Sequence, residues 1–334
     1  MTKTFWRVAL MALLCMSAAQ AQPAAPLRLV AAVPLPHVHG RIDHFDVDLV
    51  HRRLLMSALG NNTLEIFDLR ANKLIHTISG LREPQGVTYA PKSNRIFVAN
   101  GDDGTVRMFD GDTYKQLNIV DLQSDADDTR YESATDRVFV GFGGGKHAGI
   151  GVLDGTSGKL LKTIKLPGHP ESFQLEESGS RIFVNVPTAG NKVAVVNRTD
   201  GKILAMWSLG GAEENFPMAL DEKDHRLFIA SRAPAEVLVL DTESGKLIAS
   251  VPGVGHADDM WYGGAHKRIY VSGGSGFISV IQQEDVGRYS RIAQIRTAPG
   301  GRTSCFVPEL NRLYLGVWGR GNQPEALRVY EVGP

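Results

Sequence analysis

The 334 residues carry 36 basic and 36 acidic side chains, a formal charge of zero, and only two cysteines. That balance lacks the basic footprint of a general nucleic-acid binder, and two cysteines cannot build a disulfide scaffold. About 310 residues remain after any leader is removed, enough for a sizeable apolar core.

In chain order, the first element is a leader. Lys3 and Arg7 precede an apolar run from Val8 to Ala18, followed by Ala19, Gln20 and Ala21. This is the pattern of a secretory signal with an A-x-A site, and the run is too short to span a bilayer. Cleavage after Ala21 is expected, with residues 22–334 as a single domain in the periplasm or outside the cell. Cys15 follows Leu13 and Leu14 rather than the small residues of a lipoprotein signal. The mature chain then keeps only Cys305, with 34 basic and 36 acidic residues, and no internal disulfide is possible. No later segment approaches a membrane-spanning length, and a monomer is expected.

A four-residue pattern of Arg, aliphatic, aromatic or Leu, aliphatic then recurs seven times, beginning at Arg53, Arg95, Arg137, Arg181, Arg226, Arg268 and Arg312. The spacings are 42, 42, 44, 45, 42 and 44 residues, the signature of a repeat architecture. Within each repeat, short β-branched and aromatic runs alternate with Gly/Asn/Asp/Pro clusters, as in Gly86–Ala90, Arg95–Ala99, Thr105–Asp110 and Gln116–Val120. These read as four strands and their turns. Four strands in about 43 residues make one propeller blade, so the fold expected is an all-β, seven-bladed β-propeller. The seventh repeat stops one strand short. Residues 27–36 resemble the outer strand at 160–167 and are expected to complete that last blade, closing the ring and removing its open edges. The stretches from Arg95 (RIFVANGDDGTV) and Arg268 (RIYVSGGSG) resemble the repeats of YVTN-type, YncE-like seven-bladed propellers over residues 27–334. That resemblance implies the fold. It leaves activity open, since the broad group includes enzymes, electron-transfer domains and proteins without a known reaction.

Counting back from each repeated Arg defines the loops that lead into the innermost strands. Ten residues before stand Asp43, Gln85, Asp127, Glu171, Asp258 and Arg302. Allowing one extra residue in blade five places Asn215 in the same ring. Twelve before are Arg41, Glu83, Asp125, His169, His256 and Gly300, with Glu213 by the same adjustment; nine before add His44, Asp128 and Asp259. Nine carboxylates thus face Arg41 and Arg302 at one mouth of the channel. The Asp125 to Asp128 stretch is no EF-hand, because Arg130 and Asp136 occupy the places that need Gly and Glu. Polar side chains here can also serve as loop caps in tight turns.

Two function classes follow. In the first, the acidic, His-bearing mouth binds a small ligand, metal ion or protein partner through Arg41, Asp43, His44, Gln85, Asp128, Asp258, Asp259 and Arg302. In the second, a lactonase- or lyase-like enzyme, as among relatives by fold, uses the same mouth. Glu83, Asp127, Glu171 and Asn215 would then hold a metal, His169 or His256 would move a proton, and Arg302 would anchor a substrate anion. Oxygen donors suit calcium or magnesium, and the histidines suit zinc, copper or iron. Catalytic motifs such as G-x-S-x-G, Walker A, H-E-x-x-H and C-x-x-C are absent from the sequence, and a haem propeller would lack its C-x-x-C-H attachment. Cys305 reads as a buried thiol, and His37 with His39 as an exposed His-x-His. The Gly-rich loops between second and third strands open on the same face, whereas Asp68, Asp110, Asp154 and Asp241 end third strands on the other.

Overall fold

The computed structural model describes residues 25–144 and 147–334. The expected signal segment and Cys15 lie outside the described residues. Seven four-stranded antiparallel sheets form, each built from consecutive strands except the last. Among the described residues the only helical turns are three short 3-10 segments, at Leu59–Asn61, Pro187–Ala189 and Pro308–Leu310. No helix among the described residues is long and apolar enough to cross a membrane.

Every repeated Arg opens the second strand of a blade: Arg53–Ala58, Arg95–Asn100, Arg137–Gly144, Arg181–Val186, Arg226–Ala233, Arg268–Gly273 and Arg312–Val317. These strands are almost wholly buried, which explains their aliphatic–aromatic runs: a strand covered on both faces cannot alternate with polar residues. The residue just before the Arg is left-handed in six blades (Arg52, Asn94, Asp136, His225, Lys267, Asn311; φ 50–55°). Asn and Asp tolerate that conformation best. Seven apolar clusters fill the seven junctions between neighbouring blades. One such layer packs Phe97, Ala99 and Met108 of blade two against Val138, Val140 and Phe142 of blade three.

The ring closes as the sequence implies. Leu27–Pro34 pairs antiparallel with Ala326–Val332, from Leu27 opposite Val332 to Pro34 opposite Ala326. The strand ends at Pro34 rather than at residue 36, since proline lacks the ladder donor. Leu27 joins the apolar layer between blades six and seven. Cys305 is buried between blades seven and one. Asp68, Asp110, Asp154 and Asp241 accept backbone N–H groups of their own turns at 2.7 to 2.9 Å, the structural role expected of them.

The repeated Arg also has a physical role. Arg181 donates to the carbonyl of Thr242 (2.7 Å), Arg226 to that of Val286 (2.7 Å) and Arg268 to that of Gly333 (2.8 Å). Arg53 does the same to Gly111. Each acceptor lies just past the third strand of the following blade, so the guanidinium latches one blade to the next. Arg53 and its partner Asp48 are 6% and 0% exposed, joined through Nε at 2.8 Å. Arg53→Met leaves that carboxylate buried without its guanidinium and is expected to cost about 3 kcal/mol in urea denaturation. The double variant with Asp48→Asn is expected to recover much of the loss.

Candidate functional site

In all seven blades the residue eight before the repeated Arg faces the residue three after it. The pairs are Phe45–Met56, Val87–Val98, Thr129–Val140, Phe173–Val184, Met218–Ile229, Met260–Val271 and Ser304–Leu315. Blade five keeps this register and contains no extra residue at this point. Phe216, not Asn215, therefore stands ten before the Arg, and Glu214 rather than Glu213 stands twelve before. Asn215 is fully buried and donates to Asn185 Oδ1 (2.9 Å) and the Lys192 carbonyl (3.1 Å). It braces strands beneath the rim and does not join the expected metal ligands.

Backbone conformation sorts the residues twelve before the Arg. Glu83 (φ 50°), Glu214 (φ 55°), His256 (φ 55°) and Gly300 (φ 87°) are left-handed, and the three with side chains expose them to solvent. Arg41, Asp125 and His169 are not left-handed, and they line the channel mouth. Glu83, expected as a metal ligand, and His256, expected as a proton carrier, are thus turned out of the site. His37 and His39 are exposed and lie outside it too.

The mouth holds a cavity of about 310 Å3. It gathers Arg41, Asp43, His44, Gln85, Asp127, His169, Glu171, Asp258 and Arg302 from the expected set, with Asp125 beside them. Asp128 and Asp259 sit one level deeper, around a narrow waist that His44 also lines. Asp259 accepts from the Ser304 backbone N–H (2.7 Å) and pairs with His44 Nδ1 at 3.1 Å. Asp128 is paired with Arg130. Both are structural supports of the wall rather than free ligand groups.

At the centre, donor atoms of Asp127, His169 and Glu171 lie within 4.8 Å of one another. The Gly143 carbonyl sits 3.0 Å from His169 Nδ1. A carbonyl only accepts, so Nδ1 carries the proton and Nε2 faces Asp127 at 3.6 Å. The Gly143 carbonyl thereby fixes the ring so that its Nε2 is the nitrogen open to a metal. Asp127 is 7% exposed, and its Oδ1 has no hydrogen-bond partner among the described residues. His44 Nε2 is the near cation, at 3.8 Å. A buried carboxylate oxygen without a donor is costly, and a cation at this point would satisfy it.

The titration of the cluster follows from burial. Burial, with the negative charge of Asp127, pushes the Glu171 carboxyl up to about 8. Burial also lifts Asp127 to about 6, although His169 and His44 pull it down. Burial opposes the charge on His169, but Asp127 and Glu171 outweigh it and raise the imidazole to about 9. Asp127 and His169 therefore both move up: desolvation wins at the carboxylate, attraction at the imidazole. His44 is likewise held well above the usual imidazole range, since Asp259, Asp43 and Asp128 outweigh its burial. Burial raises Asp258, Asp259 and Asp125. Asp43 is lowered, because His44 and Arg41 overcome its burial.

The mouth is consequently not the strongly negative basin that nine carboxylates imply. Five carboxylates line the cavity, from Asp43, Asp125, Asp127, Glu171 and Asp258, and they meet three guanidiniums and two imidazoles. Arg41 pairs with Asp43 (2.8 Å) and reaches Gln85 Oε1 (3.3 Å), and Gln85 donates to Asp125 (2.6 Å). Arg232 and Arg302 share Asp258, one at each oxygen. Arg232 lies over the Phe216 ring at 3.6 Å. Arg232 and Phe216 were not read as site residues from the sequence. The available signal was offset: six residues past the repeated Arg, the other blades carry Leu59, Gly101, Gly143, Pro187, Gly274 and Trp318, so Arg232 is the sole cation there.

The loops between second and third strands contribute mainly support. Asn62 accepts from the Glu83 N–H (2.8 Å), Thr188 from that of His169 (2.9 Å) and Asn191 from that of Glu214 (3.0 Å). Gly143 is needed where it is, because a Cβ there would lie 2.7 Å from His169 Nδ1 and 2.8 Å from its Cα. Gly143→Ala is expected to displace His169 and weaken metal binding by roughly tenfold or more, measured by calorimetry with zinc.

A larger cavity, about 560 Å3, opens at the opposite end of the channel between rings of Tyr89, Tyr131, Trp261 and Tyr262. Their polar tips are tied to protein partners: Tyr89 to Asn94, Tyr131 to Asp136, Trp261 to the Ser304 carbonyl and Tyr262 to Gln283. This end is bigger, but among the described residues it holds no group of His, Cys, Asp and Glu donors like that of the other mouth.

No family model matches the chain. The protein YncE of Salmonella typhi is 26% identical over 183 residues, and that of Escherichia coli K12 is 28% identical over 183 residues. Each match covers 51% of this chain and 51% of the relative, whose printed name is "Uncharacterized protein YncE"; the chain spans about half the length of the curated relatives it matches. Among solved structures, Kuenenia stuttgartiensis hydrazine synthase superposes with a TM-score of 0.74 over 90% of this chain and 95% of that one, at 13% identity. At that identity the likeness is one of fold alone. With its seven four-stranded blades and the arginine that opens each second strand, the chain is a seven-bladed β-propeller, similar over about half its length to YncE.

Proposed function

We propose that this propeller is a binding module whose ligand site is the polar channel mouth, with Asp127, His169 and Glu171 holding a divalent metal. The observation that carries the reading is the buried Asp127 Oδ1, without a hydrogen-bond partner among the described residues and within reach of an imidazole and a second carboxylate. One imidazole in the donor set favours zinc or copper over calcium or magnesium, which take oxygen ligands. The test is metal analysis and calorimetry on protein purified without a His tag. Zinc binding that Asp127→Asn and His169→Ala both abolish is the expected result. Stoichiometric absence of zinc and copper binding at pH 8 would overturn the reading.

The second reading, a metal-dependent lactonase- or lyase-like enzyme, draws on Glu171. In this reading Asp127 and His169 hold the metal and Glu171 stays off it as the proton-transferring carboxyl, which burial pushes up in the metal-free protein, with Arg302 across the cavity. Hydrolysis of simple lactones that requires added zinc and is lost in Glu171→Gln would favour it over the binding module. We further propose export to the periplasm or medium through residues 1–21. Intact-mass analysis of the secreted product should show a chain beginning at Gln22, and retention of Met1 in a cell-associated product would refute it.

A further inference from the structure

We propose that the channel mouth binds its metal together with a small oxyanion, a carboxylate or a phosphate, held by Arg41, Arg232 and Arg302. The inference rests on the metal reading above and adds the class of the second ligand. Three observations carry it. First, the mouth is lined by three guanidiniums, from Arg41, Arg232 and Arg302, beside five carboxylates. A dication on Asp127, His169 and Glu171 would occupy two of those carboxylates and add two positive charges, which favours an anion as the second ligand.

Second, the guanidiniums that line this cavity keep donors without protein partners among the described residues. Arg41 Nε is buried without a hydrogen-bond partner among the described residues. Arg302 approaches Asp258 with Nε at 2.7 Å and makes no hydrogen bond to any other described residue. Asp258 accepts one contact on each oxygen, from Arg232 and Arg302, so neither arginine is fully satisfied by it. A guanidinium presents five donors in a planar fork suited to carboxylate or phosphate.

Third, Arg232 is held as a fixed donor rather than a mobile surface cation. Its Nε donates to the Ala257 carbonyl (2.8 Å), and its plane lies on Phe216. Phe216 is the one apolar side chain lining a cavity otherwise made of polar groups. A cavity of about 310 Å3 with such walls suits a compact, oxygen-rich molecule better than an apolar one.

If metal and oxyanion occupy one cavity, each must raise the affinity of the other by the same factor. Calorimetry at pH 8 reads this directly, titrating malate, inorganic phosphate or uncharged glycerol into the protein with and without saturating zinc. Expected is a gain of roughly tenfold or more for malate or phosphate with zinc, and an equal gain for zinc with the anion. The stronger of the two anions identifies the carboxylate or the phosphate chemistry. Arg302→Gln, which leaves Arg232 on Asp258, should lose most anion binding while zinc affinity changes less than threefold. Zinc binding with no anion response, or an equal response to glycerol, would overturn this inference and leave the metal site standing. Anion binding equally tight without zinc would overturn the coupling. Failure of zinc itself to bind would remove both.

Discussion

Raising the pH from 6.5 to 8 is expected to tighten zinc binding at the channel mouth roughly a thousandfold, because two protons leave with each metal bound. The metal-binding form needs Glu171 ionised and His169 neutral. In the metal-free fold these groups hold their protons up to about 8 and about 9. Below pH 8 both protons must be displaced, so the apparent affinity climbs about a hundredfold per pH unit. Between 8 and 9 only His169 competes, and the slope falls to about tenfold per unit. Above 9 the affinity levels off. Below about 6 Asp127 adds a third proton and steepens the dependence again. Titrations in two buffers of different ionisation enthalpy count the protons directly. A pH-independent zinc affinity between 6.5 and 8 would mean that this trio is not the metal site.

The fold was legible because the propeller repeats its punctuation. The Arg at each second strand opens a buried, two-faced strand, and in four blades it reaches the next blade, so seven copies of one strand pattern stood in the sequence at nearly constant spacing. The strand at Leu27–Pro34 was legible for the complementary reason: a blade short of one strand needs a partner. The site was legible only in part. Counting offsets found Asp127, Glu171, His169, Asp43 and Arg302, because inner strands enter the channel at one level in every blade. It failed where backbone conformation, not position, decides the outcome. Glu83 and His256 share the offset of His169 but are left-handed, which turns their side chains outward. Blade five failed for a different reason: the one-residue allowance placed an extra residue in the wrong part of the blade, whereas the Met218–Ile229 pairing keeps the common offset and puts Phe216 in the ring. The net charge was misjudged because Arg232 arrives from a different strand, and lead-in loops alone counted the acids without their partners.

Glu171→Gln should abolish zinc binding and, in the metal-free protein, raise stability at neutral pH by about 3 kcal/mol. The sign follows from linkage. The folded state holds the Glu171 proton up to about 8, against 4.5 for the free carboxyl, so folding binds a proton throughout that interval. The group's contribution is neutral below pH 4.5, where both states are protonated. It becomes progressively destabilising as pH rises towards 8, by about 1.4 kcal/mol per unit. Glutamine has nearly the same shape and no proton to lose, so its advantage should be close to zero at pH 4.5 and grow to about 3 kcal/mol at pH 7. His169 and Asp127, also raised, add to the decline of wild-type stability with pH in the same direction, but they remain in the variant and largely cancel in the difference. Urea denaturation at pH 4.5, 6 and 7.5 with EDTA present would measure the divergence. Equal stability of the two proteins at pH 7.5 would show that Glu171 ionises freely in the fold. A protein that keeps this carboxyl at such a cost holds it for something the fold alone does not need, and zinc in excess should close the gap by stabilising only the wild type.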